Sequence, residues 1–325
     1  MRAEHAPQAT VVVTTRNRCD ELARLLPTLA DQTADAEILV VDDGSTDGTP
    51  ELVRTRFPQV RLERSESPLG YIVQRTRAAQ LARAPVIVSV DDDAVLPSPR
   101  TLEQTLADFD HPRIGSVAIP FVDVRPSGEL LLQQAPEGPG RWLTSSYVGT
   151  AHAVRRDVFL AVGGYRAALI HQAEEPDFCL RMLAAGYVTR IGRADPLRHL
   201  MSEKRDFSRL VTQSTRNHLL HGAYNVPLPY LPVRVAKVAL HSALLALRLR
   251  EPAATARGMW LGVRDGWRQR AHRDPVVRSV YRLDHDIRMK GPLRLEDVEH
   301  RLPPPGVRAA HSAAAPVEAA SPSSR

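Results

Sequence analysis

Val86-Ile87-Val88-Ser89-Val90-Asp91-Asp92-Asp93 is a short, β-branched apolar run that ends abruptly in three carboxylates. With Pro85 before it and Pro97 after it, the run predicts a buried parallel strand. Open α/β sheets bind ligands beyond the carboxyl ends of such strands, so the triplet falls where a ligand is expected. Adjacent carboxylates repel and raise one another's pKa unless a divalent ion or strong donors offset the repulsion. Hard oxygen ligands suit Mn2+ or Mg2+, and such an ion commonly takes phosphate oxygens as well. The competing reading is an acidic helix cap or a solvated turn. The apolar strand directly before the triplet favours the cation.

Working outward, Thr10 to Thr15 predicts a first strand, followed by Arg16-Asn17-Arg18 and a helix that Asp20 caps. Glu37 to Val41 predicts a second strand ending in Asp42-Asp43-Gly44-Ser45-Thr46-Asp47-Gly48, with a helix from Pro50 to Arg56. Val60 to Arg64 is a third strand, and Tyr71 to Arg83 a helix carrying Arg75 and Arg77. This alternation predicts a parallel sheet with right-handed crossovers. Asp42, Asp43, Asp91 and Asp93 then converge at one edge. Farther on, Ser116 to Val124 reads as one more strand and the Pro- and Gly-rich stretch 126–140 as a mobile loop.

The chain has 325 residues, 43% of them apolar, enough for one large core and an appendage. Two cysteines, Cys19 and Cys179, exclude a disulfide framework and fit a reducing compartment. The polar N-terminus shows no export signal, so a cytoplasmic protein is expected. The most apolar run, Val233 to Leu249, is interrupted by Arg234, Lys237, His241 and Arg248, which predicts no membrane span. A net charge of +6 suits phosphorylated ligands or anionic lipid. Only 5% of residues are aromatic, without basic-aromatic interleaving, which argues against nucleic acid. Neither GxGxxG after the first strand nor GxxxxGK[ST] is present, so no dinucleotide fingerprint or P-loop holds a nucleotide.

Val11 to Arg18, then Val40-Val41-Asp42-Asp43-Gly44-Ser45-Thr46-Asp47, then the strand entering Asp91-Asp92-Asp93 form an ordered set. That set resembles family 2 of the nucleotide-sugar-dependent glycosyltransferases. The resemblance continues through Gly163-Gly164-Tyr165, Glu174-Glu175-Pro176-Asp177, His199 and Gln213-Ser214-Thr215-Arg216-Asn217, covering residues 9 to about 220. It implies a GT-A fold: a Rossmann-like, mostly parallel α/β sheet with flanking helices. The expected organisation is a catalytic domain over 1–222, a C-terminal helical extension over 223–302 and a disordered tail over 303–325.

The implied activity is metal-dependent, inverting and non-processive transfer of a sugar from a UDP-, dTDP- or GDP-linked donor to a hydroxyl acceptor. The acceptor class spans glycan, lipid-linked and small molecules. Asp42 or Asp43 would meet base or ribose, and Thr14 and Arg16 base or phosphate. Arg75 or Arg77 would pair with diphosphate. Asp91 and Asp92 join the nucleotide side, Asp91 through ribose or metal-bound water. Asp93 and His199 are the expected ligands of Mn2+ or Mg2+. Gly164, Tyr165, Glu174, Asp177 and Arg216 are expected on the acceptor side, with Glu175 as general base. Glu175 stands where the family usually has Asp. A catalytically silent nucleotide-sugar-binding protein and a sugar nucleotidyltransferase are the alternatives. A haloacid-dehalogenase-type phosphotransferase fits less well, because its aspartates follow the first strand, which here ends in Thr14-Thr15-Arg16. Among the C-terminal helices, packing on the domain is the first reading and contact with the inner face of the membrane the second.

Overall fold

The computed structural model describes residues 6–200 and 207–306. The chain begins with β1 (Ala9–Thr15), α1 (Cys19–Ala30), β2 (Ala36–Asp42), α2 (Thr49–Arg56), β3 (Arg61–Arg64), α3 (Tyr71–Leu81) and β4 (Val86–Val90). These strands pair in parallel in the order β4-β1-β2-β3, as the alternation predicts. Their side chains point alternately to the two sheet faces. Val11, Val13, Val40, Val88 and Val90 pack with Leu22, Leu25 and Leu26 of α1. On the other face, Val12, Leu39, Val41 and Ile87 pack with Ile72, Ala78 and Ala79 of α3. α1 starts at Cys19, so Asp20 lies in its first turn, and Asp47 Oδ2 accepts from the Cys19 N–H at 3.3 Å instead.

Next come β5 (Ala94–Val95), α4 (Thr101–Ala107), β6 (Ile114–Ala118), β7 (Phe121–Arg125), β8 (Gly128–Leu132), β9 (Trp142–Thr144), β10 (Ala151–Arg155) and α5 (Arg156–Ala161). The single strand expected over 116–124 is two strands in different sheets, broken at Pro120. Proline offers no N–H to continue a ladder. The stretch expected to be a loop contains β8, which pairs antiparallel with β7. β10 runs antiparallel between β4 and β6.

The remaining elements are α6 (Glu174–Ala184), β11 (Val188–Ile191), β12 (Leu197–Leu200), α7 (Phe207–Asn225), α8 (Leu231–Leu249), α9 (Pro252–Arg268), α10 (Arg278–Met289), β13 (Leu293–Arg294) and α11 (Leu295–Val298). One sheet of nine strands has the order β13-β9-β11-β6-β10-β4-β1-β2-β3, and a second has β5-β12-β7-β8. The second sheet brings β12 antiparallel to β5, directly after the acidic triplet.

The C-terminal portion is built into this body. The expected boundary at residue 222 falls inside α7, and β13 completes the large sheet by pairing with β9. Arg113 Nη1 donates to Pro303 O at 2.8 Å and the Gly306 N–H to Ala185 O at 3.1 Å, which seats the first residues of the expected tail on the domain. The rest of that tail, 307–325, lies outside the described residues. By length and composition alone Leu228–Leu249 is long and apolar enough to cross a membrane, despite its interrupting charges, and few of its residues are buried.

Candidate active site

The carboxyl ends of β1 and β4 and the start of α6 open on a cleft of about 630 Å³, a size typical of small-ligand sites. Thr14, Arg16, Arg18, Asp43, Arg75, Asp91, Asp92, Asp93, Glu174 and Glu175 all line it. The expected convergence of acidic strand ends therefore holds for Asp43 and the triplet.

Within the triplet the three carboxylates have different surroundings. Ligand atoms of Asp91, Asp93 and His199 lie within 4.8 Å of one another. Two hard oxygens and an imidazole nitrogen form a donor set that suits Mn2+ and admits Mg2+. His199 Nε2 is 3.3 Å from Asp93 Oδ1, while Nδ1 is 2.8 Å from Asp123 Oδ1. Asp123, on β7, thus accepts a hydrogen bond from Nδ1–H and leaves Nε2 for the cluster. Burial alone would raise Asp93, but the hydrogen bond and charge of His199, together with Arg18, hold it below its ordinary value. Burial pushes Asp92 up to about 7 against the pull of Arg18. Arg18 Nη1 is 2.8 Å from Asp93 Oδ2 and 3.4 Å from Asp92 Oδ1, so a guanidinium already offsets part of the charge. Asp123→Ala should weaken Mn2+ binding by about ten- to a hundredfold. Calorimetry on the folded variant checks this, and unchanged affinity would show that Asp123 does not orient His199.

Arg75 joins the triplet to α6. Its Nη2 lies 2.5 Å from Asp91 Oδ1 and 3.1 Å from Gly149 O, and its guanidinium sits over the Tyr71 ring at 5.1 Å. Tyr71 donates to Glu174 Oε1 at 2.5 Å and accepts from the Gln172 N–H. Burial, then the charge of Glu174, pushes Glu175 up to about 8. A carboxyl in that range exchanges protons near neutrality, whereas an exposed glutamate is ionised from about 4.3.

Ile170, Gln172 and Ala173, just before α6, all have φ between 53° and 69°. Non-glycine residues rarely adopt that conformation, and surrounding contacts must hold it. Asn217 of α7 does so, its Nδ2 reaching Leu169 O, His171 O at 2.5 Å and Gln172 O at 3.0 Å.

Gly149 makes the close approach of Glu175 and Arg75 feasible. A Cβ there would lie 2.5 Å from Glu175 Oε1 and 2.9 Å from Arg75 Nη1. Gly149→Ala should therefore displace side-chain tips rather than backbone. Turnover should fall by about a hundredfold, since small misplacements at a site are that costly, with the melting temperature nearly unchanged. Steady-state kinetics beside a thermal melt tests it, and full turnover would show that the site tolerates the shift.

Several residues expected in the site are elsewhere. Asp42 is fully buried, accepting from the Ser45 N–H at 2.9 Å and pairing with Arg64 at 3.2 Å, so it closes the turn after β2. Asp43 does line the cleft, but its carboxylate accepts from the N–H groups of Leu69 and Gly70 and from Gln74. Arg77 turns to Ser65 Oγ, away from the cleft, and Arg75 alone of the two enters it. Tyr165 is buried behind the wall, its hydroxyl 2.7 Å from that of Tyr147 and 2.9 Å from His152 Nε2. Gly164 also lies behind it, its carbonyl accepting from Arg181. Asp177 is buried with Arg166 at 2.6 Å and Arg181 at 2.9 Å, and Arg216 with Asp265 at 2.7 Å. The Arg181 pair lies within α6, the Arg166 pair ties α6 to the segment after α5, and the Asp265 pair joins α7 to α9, and none of these residues lines the cleft.

Arg18, Tyr71, Asp123 and Gly149 are functional-site residues that sequence reasoning missed. Arg18 carried a signal, lying two residues beyond Arg16 in the loop after β1. The others carried none, because their partners are distant in the chain.

A mostly parallel sheet with an acidic cluster at its carboxyl edge and a carboxylate-bearing helix across the cleft defines the GT-A class. Residues 10–169 match the family described as Glycosyl transferase family 2. Among curated proteins, Validoxylamine A glucosyltransferase from Streptomyces hygroscopicus subsp. jinggangensis is 38% identical over 121 residues, 35% of this chain and 28% of the relative. The chain therefore spans under a third of that relative's length. Among solved structures, the mannosyltransferase PcManGT from Pyrobaculum calidifontis, in complex with GDP-Man and Mn2+, aligns with a TM-score of 0.52 at 19% identity. That alignment covers 86% of this chain and 79% of the other. S. aureus TarS 1-349 in complex with UDP-GlcNAc aligns with a TM-score of 0.55 at 18% identity, covering 71% of each chain. Such likenesses speak for the fold.

Proposed function

We propose that the protein is a metal-dependent, inverting, non-processive glycosyltransferase that moves a sugar from a nucleoside-diphosphate sugar to an acceptor hydroxyl. One observation carries the reading: Asp91 and Asp93, which cluster with His199, line the same cleft as the Glu175 carboxyl, and Arg75 of that cleft pairs with Asp91. Asp91, Asp93 and His199 would hold Mn2+ or Mg2+, whose charge offsets that of a departing diphosphate. Arg75 and Arg18, already fixed beside these carboxylates, add positive charge at preset positions. Thr14, Arg16 and Asp43 line the part of the cleft suited to the nucleoside.

Glu175 removes the proton from the acceptor hydroxyl as its oxygen bonds to the anomeric carbon and the bond to the diphosphate breaks. A single displacement of this kind inverts the anomeric centre. UDP-, dTDP- and GDP-linked sugars are the donor class, the GDP- and UDP-linked ones being supported by the nucleotides in the names of the similar structures. A cytoplasmic location accompanies this reading, since that is where such donors would be met.

The test is to incubate purified protein with UDP-, dTDP- and GDP-sugars, with Mn2+ or Mg2+ and with chelator. Metal-dependent release of nucleoside diphosphate, with inverted product by proton NMR, is the expected result. Nucleotide binding without release from any donor would favour the silent binding protein.

A further inference from the structure

We infer that α8 and α9 form a docking face for the surface of an anionic phospholipid bilayer, with the helices lying along the interface rather than crossing it. The inference rests on the faces these helices expose and does not depend on the transfer reaction.

Their inner faces are engaged. α8 buries Val238, Ser242 and Ala246, with Ser242 Oγ 3.0 Å from Thr215 Oγ1 of α7. α9 meets α7 through Gly258 and Gly262, where a Cβ would come within 2.7 Å of Thr212 O and 2.6 Å of Leu219 Cδ1. The pair is therefore mounted closely on α7. A helix clamped along one side in this way cannot be surrounded by lipid.

Their outer faces are apolar and, among the described residues, without a partner. On α8, Val233, Leu240, Leu244 and Leu247 recur at helical spacing and are 58–77% exposed. On α9, Trp260, Val263 and Trp267 do the same at 61–70%. Soluble surfaces rarely carry so continuous an apolar stripe without using it.

Charge selects the occupant. Residues 231–270 hold eight Lys or Arg against two acids, Glu251 and Asp265. Asp265 is buried and paired with Arg216 and Arg264. At helical spacing, Lys237 and Arg248 border the leucine stripe, and Arg257 and Arg268 border the tryptophans. Arg264 and Arg270 lie over the rings of Trp260 and Trp267, at 4.7 and 4.8 Å. Leucines that enter acyl chains, tryptophans at headgroup depth and arginines toward phosphate match an interfacial amphipathic surface.

The experiment is co-sedimentation of the full chain with vesicles of neutral phosphatidylcholine and with vesicles that also contain phosphatidylglycerol. Binding to the anionic vesicles should be stronger by about tenfold or more, and should weaken with salt. Tryptophan emission should shift to the blue on binding, and Trp260→Ser with Trp267→Ser should remove that shift. Leu240→Glu with Leu244→Glu should abolish sedimentation while the circular dichroism melt stays near wild type. Equal binding to neutral vesicles, or none by the folded wild type, would overturn the inference. So would a dimer in light scattering that hides both tryptophans and leaves no vesicle binding. Resistance to alkaline carbonate extraction would show a crossing helix instead.

Discussion

Glu175→Gln should lower sugar transfer by about a hundred- to ten-thousandfold, with donor affinity nearly unchanged and the folded protein more stable at neutral pH. The rate loss follows from removing the proposed base while keeping its shape. The gain in stability follows from burial, which with Glu174 pushes Glu175 up to about 8. An unfolded glutamate titrates near 4.3. Between those values the folded state binds the extra proton, so stability falls as pH rises through this window. Gln does not titrate and escapes that loss.

Turnover has the opposite pH dependence, because only the ionised carboxylate accepts a proton. The rate should climb about tenfold per unit below the Glu175 pKa and level off above it. The neighbouring acid makes a control of opposite sign. The charges of Arg181 and Arg166 overcome the effect of burial and hold Asp177 well below its ordinary value. Its stabilisation is thus present above the unfolded pKa of about 3.9 and lost as pH falls through the lower folded value. Asp177→Asn should cost about 3–5 kcal/mol, since it leaves buried arginines without their counter-charge. If Glu175→Gln transfers at nearly the wild-type rate while Glu174→Gln does not, the base is the neighbouring carboxylate.

The contrast between Glu175 and Asp177 shows where sequence reading reaches its limit. Both are acids at the head of one helix, and sequence order placed both in the site. Only the fold shows that one lines the cleft and the other sits between two arginines. Arg216 and Tyr165 misled in the same way, because a buried ion pair or hydroxyl chain uses the same residue types as a ligand site. What sequence made legible was local: the β-branched runs of β1, β2 and β4, the acidic strand ends and the start of α6. What it hid was long-range. Arg18 meets Asp93 across 75 positions, His199 meets Asp123 across 76 and Tyr71 meets Glu174 across 103. No local period encodes such pairs. The break at Pro120 had a local signal, since a proline rarely sits inside a central strand.

Asp93→Asn should weaken Mn2+ binding by at least about a hundredfold, which is the upper end of the cost of losing a mere supporting partner. Asp93 contributes one of two anionic oxygens in the proposed set, and the substitution removes its charge while keeping its size. The fold should survive. Arg18 also lies 3.4 Å from Asp92, whose carboxyl is raised first by burial and further by the charge of Asp93. Without Asp93 that second push disappears, so Asp92 ionises more readily and takes over as counter-charge to Arg18. Asp92→Asn should have the smaller effect on metal, because Asp92 stands outside the cluster formed by Asp91, Asp93 and His199. Calorimetric titration with Mn2+, with and without a nucleoside diphosphate, separates the two variants without relying on turnover. Equal Mn2+ affinity in wild type and Asp93→Asn would remove the cluster as the metal site and leave Arg18 and Arg75 as the cations that answer the triplet.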